Sequence, residues 1–479
     1  MFSPVYTNRV LEPAYQNWKA LYASDAVAVH KAHLLGLVER GIVPLEKGRL
    51  IARAIDAMAS GFSYPATIPP AVEDLYFVYE RELGVRIGDE NAAYLHTARS
   101  RNDMDTTVFR MALRRALLGL AQLVLGTLES VVKRAESSAG ELTVLYTHGQ
   151  PANVSTMGHY LSAFAGELAE DLTGLVAAID VVNRSTMGAC AITGTGFPLD
   201  RKRVADLLGF PSFVVNTYTA ISTSHWLTRP AAAVEELLQD AGRLMADMLH
   251  KASCEVGLLT FPDQLVQISS IMPQKRNPVI LEHARIQAGM AVGRCAAIRN
   301  LYRNVPYQDV NEAADAPVSE LLETLDLAAS AITLVREVIE NVGSDEAAVL
   351  RIASAWGVTS TELADTMVRE TGIGFRSAHE VSSRFTRSGN DIAVLRKTYL
   401  EVVGVPLPFD DARIRAILEP AHFVEIRRTP GGPSAEGMVP VFGEIAASIR
   451  GARGQLEAIG NGITDAELDL DRVWKELTA

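Results

Sequence analysis

Three long stretches of this chain carry apolar residues at three- and four-residue intervals, and that spacing restricts the fold more than any other feature. From Met111 to Glu136 the repeat runs through Leu113, Leu117, Leu120, Val124 and Leu128. From Ala231 to Leu249 it runs through Val234, Leu238, Ala241, Met245 and Met248, and from Val318 to Ile339 through Leu321, Leu325, Ala328, Ile332, Val335 and Ile339. Such a period puts each set on one face of a helix, and faces this long pack on one another. Alternation of the strand type with hairpin turns is scarce, so the chain reads as mainly α. Stripes that cover much of a helix can be buried inside one chain or between subunits, and the spacing leaves both solutions open.

Turn signals interrupt the helical pattern between Ser63 and Pro70, at Gly194-Thr-Gly-Phe-Pro and at Pro430-Gly-Gly-Pro. The expected organisation is an N-terminal helical domain over 1–105, a central long-helix bundle over 106–355 and a smaller helical C-terminal domain over 356–479. Hydrophobic residues make up 48% and charged residues 21%, a balance that fits a globular enzyme and excludes a disordered chain. The formal charge of −12, with no block of Lys and Arg, argues against a nucleic-acid binder. An anionic ligand would therefore have to be drawn in by local basic groups. Cys190, Cys254 and Cys295 lie far apart and without metal-ligand or disulfide spacing, which points to reduced thiols. The start of the chain has no basic segment followed by an apolar one, and no uninterrupted apolar run approaches the ~18 residues of a membrane span. The expectation is a cytoplasmic protein with no membrane partner.

Three polar islands break the stripes. The first, His96-Thr-Ala-Arg-Ser-Arg-Asn-Asp103, sets Ser100, Arg101 and Asn102 side by side, donors that suit a carboxylate or, more blandly, a solvated helix start. The second, Tyr146-Thr-His-Gly-Gln-Pro-Ala152, places Thr147 and His148 before a Gly-Gln-Pro turn that includes Gln150; a lone His is more often structural than catalytic. The third, Ser269-Ser-Ile-Met-Pro-Gln-Lys-Arg-Asn-Pro278, joins the hydroxyls of Ser269 and Ser270 to Lys275 and Asn277 between two prolines that shape the loop. Glu282 follows in a helix that Pro278 helps to start. No phosphate-binding loop, dinucleotide fingerprint or Gly-x-Ser-x-Gly elbow is present, and His30 and His33 lack the acidic neighbours of a metal site.

All three islands resemble, in the same chain order, the motif regions of the fumarase/aspartase superfamily. The third fills every fixed position of its signature SSxMPxKxNP. Within the superfamily the chain is most similar to the argininosuccinate lyase branch: the first island is close to its HTGRSRND, with Ala98 in place of Gly, and Gly194-Thr-Gly-Phe-Pro-Leu-Asp-Arg201 is similar to its GTxFPIDR. Phe375-Arg-Ser-Ala-His379 and Val424-Glu-Ile-Arg-Arg-Thr-Pro-Gly-Gly432 extend the likeness towards the C-terminus. The resemblance implies a fumarase/aspartase-type fold, a homotetramer round a bundle of about 20 helices, sites shared between subunits, no cofactor, no metal and a small-molecule substrate. It also implies reversible anti elimination from an N-substituted aspartate, releasing fumarate and an amine.

Under that resemblance the residues take definite roles. Ser269 is the base for the weakly acidic C3 proton, and a serine can do this only as an alkoxide held by cations and amide donors. Lys275 and Asn277 stabilise the aci-carboxylate that develops. His148, oriented by Glu282, supports proton transfer to the leaving nitrogen or binds the second carboxylate. Ser100, Arg101, Asn102 and Thr147 hold the carboxylates, with Ser270, Met272 and Gln150 lining the site.

The amine side departs from the branch's pattern. Tyr307 falls where a Gln is expected, Val310 where a Lys is expected, and Val279 where an Asp follows the third island. Losing a Lys that pairs with a substrate carboxylate costs on the order of 2–4 kcal/mol in a desolvated site. The expected substrate is therefore an aminosuccinate other than argininosuccinate, as for ethylenediamine-N,N′-disuccinate lyase. Argininosuccinate lyase proper, with compensating contacts from Arg303 or His225, is the alternative. A non-catalytic crystallin-like protein is a third reading, and it gives no reason to keep Ser269, Lys275, Asn277 and His148 together.

Overall fold

The structure, a computed structural model, describes residues 2–479. Helices α1 (Ala23–Glu39), α2 (Leu45–Gly61) and α3 (Leu75–Ile87) lead into five long ones: α4 (Arg101–Ser137), α5 (Met157–Val182), α6 (His225–Lys251), α7 (Val279–Leu301) and α8 (Asp315–Asn341). These pack in a closed cycle, α4 on α5, α5 on α6, α6 on α7, α7 on α8 and α8 back on α4. A last helix, α9 (Ala435–Thr478), lies against α4 and α5. Between α4 and α5 a hairpin of β1 (Leu142–Thr147) and β2 (Gln150–Thr156) projects from the end of the bundle.

The apolar stripes form the centre of this cycle. Leu113, Leu117, Leu120, Val124 and Leu128 of α4, and Leu321, Leu325, Ile332, Val335 and Ile339 of α8, are all 2% exposed or less. Each such side chain contributes about 1.5–3 kcal/mol on burial. The stripes are thus covered within one chain and demand no partner of themselves. Exposed apolar side chains lie elsewhere, among them Ile286 and Met290 on α7, 53% and 54% exposed. Helix α4 has an 18-residue window apolar enough to cross a membrane, with mean hydropathy 1.4, but it lies in the bundle with Arg110 and Arg114 buried along it.

Separate small clusters extend the molecule. Leu363, Met367, Val381, Phe385, Leu395 and Tyr399 form a core of their own. A further cluster joins Val144 and Val154 of the hairpin to Val256, Leu258, Ile352 and Phe423. One face of the hairpin's base is thus buried in that cluster.

Two buried arginines fasten α4 to the end of α5. Arg110 Nη1 donates to Val181 O at 3.0 Å, and Arg114 Nη1 donates to Asn183 Oδ1 at 2.9 Å and Gly209 O at 2.8 Å. Arg114 Nη2 adds Leu208 O at 3.1 Å, with the Phe210 ring 4.4 Å from the guanidinium. Cations at a helix C-terminus meet its unpaired carbonyls and the negative end of its dipole. Arg114→Met should leave those acceptors unsatisfied and destabilise the protein by about 2–4 kcal/mol. A lower midpoint in thermal and urea unfolding checks this, and an unchanged midpoint would refute the assigned role.

Candidate active site

The first island forms the start of α4. Ser100 is its N-cap: the hydroxyl accepts from Asn102 N at 3.4 Å, while Asp103 Oδ1 accepts from Ser100 N at 2.9 Å, a reciprocal capping box. Asp103 is fully buried, and its Oδ2 accepts from Gly188 N at 2.8 Å and Cys190 N at 2.9 Å. Burial raises this carboxyl above its ordinary value, and the three N–H donors oppose that. Across the same turn, Cys190 Sγ donates to Ala98 O at 3.3 Å, and both residues have left-handed backbones, φ +52° and +57°.

Behind the turn, Arg99 Nη1 donates to His30 Nδ1 at 2.9 Å and His33 Nε2 meets Thr97 O at 2.8 Å. Burial, with the Arg99 charge adding to it, lowers both imidazoles, His33 to about 3. Two neutral rings thus brace the first island. Arg101 is paired with Asp74 and, at 3.6 Å, with Glu73, and it lies over the Phe77 ring. Its own chain's carboxylates already occupy part of its guanidinium fork. Asn102 Nδ2 donates to Asp309 Oδ2 at 2.8 Å, which brings the α7–α8 connection over the island. In that connection Tyr307 is 60% exposed, its backbone carbonyl accepts from the Tyr218 hydroxyl, and the two rings meet edge-on at 5.7 Å.

The second island is the hairpin tip. Thr147 pairs with Gln150, so the turn consists of His148 and Gly149, with φ of +52° and +74°. A two-residue loop with both φ values positive matches the right-handed twist of its strands. The turn thus falls one position earlier than the sequence reading placed it. His148 is inside it, and Gln150 and Pro151 belong to β2. Gly149 takes the second left-handed position without strain, whereas His148 bears a cost of about 1–2 kcal/mol there. Thr147, His148, Gly149 and Gln150 are all exposed.

The third island is a short loop closed by pairing of Gln267–Ile268 with Arg276–Asn277. Ser269 Oγ accepts from Met272 N at 3.0 Å, Ser269 N donates to Lys275 O at 3.4 Å, and Asn277 Nδ2 donates to Gln267 O at 3.2 Å. The loop therefore brings Ser269 and Lys275 to neighbouring positions. Ser270, Met272 and Lys275 are exposed, as is Glu282 in the first turn of α7.

The three islands do not meet within one chain. Helix α4 has 37 residues, a length of about 55 Å, and separates Ser100–Asn102 from the hairpin beyond its other end. Tyr307 lies with Ser100, Arg101 and Asn102. Thr147, His148, Gln150, the Ser269 loop and Glu282 lie towards the opposite end of the bundle. Among the described residues no hydrogen bond links His148 to Glu282 or to Ser269. Sequence reasoning missed Tyr218, for which no signal exists, and Asp309, which lies in the segment that departs from the branch's pattern. It also missed Lys251, which stands three residues after Met248 and so on the buried stripe of α6.

Comparison with known proteins gives this geometry its context. Residues 11–293 match the model of a lyase family, and residues 357–425 match that of the argininosuccinate lyase C-terminal region. The chain is 36% identical to argininosuccinate lyase 2 of Agrobacterium fabrum, over 97% of this chain and 93% of that one. It is 31% identical to argininosuccinate lyase of Methanothermobacter thermautotrophicus, over 89% and 93%. Among solved structures it is similar to EDDS lyase in complex with formate, at 25% identity and a TM-score of 0.84, covering 97% of this chain and 96% of that one. With more than half its length in the lyase family match and a relative 36% identical along nearly its whole length, the chain belongs to the argininosuccinate lyase-like branch of the fumarase/aspartase superfamily.

Proposed function

We propose that the protein cleaves an N-substituted L-aspartate reversibly to fumarate and an amine by anti elimination, with Ser269 as base. The observation that carries this reading is the closed loop that sets Ser269 beside Lys275 and Asn277. A hydroxyl acts as a base only where its alkoxide is stabilised, and the Lys275 ammonium on the same loop suits that role, with Asn277 and Lys275 stabilising the aci-carboxylate that develops. The separation of the islands along α4 supports a second part of the reading. Copies of the chain, arranged as a homotetramer, bring the Ser100–Asn102 turn of one subunit to the His148 tip and Ser269 loop of others. The uncovered apolar face of α7, with Ile286 and Met290, suits such an assembly.

Among relatives the names divide between argininosuccinate lyases and EDDS lyase. The amine side favours a substrate other than argininosuccinate. Val310 replaces an expected Lys, and the exposed Tyr307 beside Tyr218 offers an aromatic surface where a Gln is expected. A ring can pack on an aliphatic stem while its hydroxyl meets a polar end.

Two measurements test these assignments. Ser269→Ala should fold normally and lose at least ~10³-fold in turnover, read as fumarate release. A variant within about tenfold of the wild type would remove Ser269 from the role of base. In the reverse direction, with fumarate and a panel of amines, arginine should be a poor nucleophile. Less polar or differently charged amines, diamines among them, should react faster. If arginine outpaces every other amine, the protein is an argininosuccinate lyase proper.

A further inference from the structure

Behind the His148 hairpin lies a buried cation that the proposed reaction does not use. Lys251 ends α6 with its side chain 2% exposed, and its nearest carboxylate oxygen, Asp247 Oδ2, is 3.7 Å from Nζ, beyond hydrogen-bonding distance. The ammonium faces two aromatic rings instead, with Nζ 4.8 Å from the centroid of Tyr146 and 5.2 Å from that of Tyr160. Tyr160 donates its hydroxyl to Asp247 Oδ2 at 2.6 Å, and the His250 ring stands edge-on to Tyr146 at 5.4 Å. A methionine would fill the same space without the cost of burying a charge. The cation is therefore accounted for by what only a cation can do there, which is pair with Asp247 and attract two ring faces.

The position of Tyr146 gives that attraction a consequence. The pairing of β1 with β2 shifts register between Leu145 and Tyr146, so the ladder is interrupted one residue before the exposed Thr147. Val144 and Val154, below the shift, anchor the hairpin in its apolar cluster, and Tyr146, above it and the last half-buried side chain before the tip, packs on the edge of that cluster with Lys251 on its ring face. We propose that Lys251 is a positioning residue, whose ammonium grips the face of Tyr146 and so sets how Thr147 and His148 are presented to substrate. This rests on the reading of the hairpin tip as part of the fumarate-releasing site.

The surroundings give the idea a signature that packing alone would not produce. The groups round Lys251 are Asp247 on its own helix, Tyr160 on α5 and Tyr146 on β1, with His250 of α6 and Arg351 of the helix Glu346–Trp356 acting on Tyr146. Burial lowers the ammonium below its ordinary range, against the opposing pull of Asp247. Raising the pH through that lowered value discharges Lys251 and removes its hold on the Tyr146 ring face, so activity falls. Stability moves the other way. Between the folded and unfolded values the unfolded chain binds more protons, and a rising pH then favours the fold.

The full-length wild type, Lys251→Met and Lys251→Arg are compared for kcat and KM of fumarate release, and for thermal midpoint, from about pH 7 to about pH 10. Lys251→Met should show at least ~10-fold lower kcat/KM at neutral pH with no lower midpoint, and should lack the alkaline fall in activity. Lys251→Arg should stay within about threefold of the wild type and carry that fall to higher pH, because a guanidinium keeps its proton. A Met variant with wild-type kcat/KM, or one whose loss simply follows a lower midpoint, overturns the proposal. A wild type that releases no fumarate from any aminosuccinate overturns the reading of the hairpin and this proposal with it. That outcome is read on the wild type alone, so the two failures are distinguishable.

Discussion

A helix of 37 residues is a rigid strut of about 55 Å, and α4 holds the first island and the hairpin at its two ends. Everything else in the molecule is arranged around that separation. The closed cycle of α4 to α8 keeps the strut straight by burying its stripe, and the arginines at 110 and 114 fix its start against the end of α5. Loops and turns then carry the polar groups at the ends of helices, where backbone can leave the bundle. On the proposed reading, a molecule the size of an aminosuccinate can touch both sets only where chains lie side by side. On that reading, the separation within one chain is the reason its chemistry would be shared between copies.

The first island shows how much structure a short polar turn requires. Its Asp103 collects N–H groups from Ser100, Gly188 and Cys190, joining the start of α4 to a loop more than eighty residues later in sequence. The turn also holds Ala98 at φ +57°, a conformation in which a Cβ costs about 1–2 kcal/mol and a glycine costs nothing. The branch's pattern has Gly at this position, and the backbone supplies the physical reason. Here the strain is borne by the Asp103 bonds, by the Cys190 thiol on Ala98 O and by the neutral imidazoles of His30 and His33 behind it.

The helical part of this architecture was legible in the sequence because a period of three and four residues has one geometric meaning. The stripe residues of α4, α6 and α8 are buried accordingly. The spacing could not say that the stripes close on one another within the chain, since burial against a second copy leaves the same pattern. The hairpin escaped for a different reason. Its strand signal is weak, with Pro151 on β2 and a register shift at Tyr146, and only the His-Gly pair at 148 and 149 marks the turn. The residues of the three islands were legible as chemistry, yet which end of the bundle each occupies follows from counting antiparallel passes. The position of Lys251 on the α6 stripe and of Asp309 in the departing segment could draw notice, but the partners of Tyr218, Asp309 and Lys251 on other elements are not legible, because those contacts join segments distant in sequence.

The two halves of the proposed site also differ in what they can tolerate. Abstraction of the C3 proton needs the same alkoxide and the same charge on the neighbouring carboxylate whatever amine leaves, so the groups on the Ser269 loop have no freedom to change. The amine half reads a substituent that takes no part in that step, and its changes alter only the difference in affinity between one amine and another. Here the changes at Tyr307 and Val310 lie on the connection between α7 and α8, while Ser269 and Lys275 lie on a loop before α7. Within one chain the length of a helix stands between them, so on the proposed reading the two sets meet only across subunits, around a shared substrate. A protein built in this way can exchange its amine while its elimination chemistry stays in place.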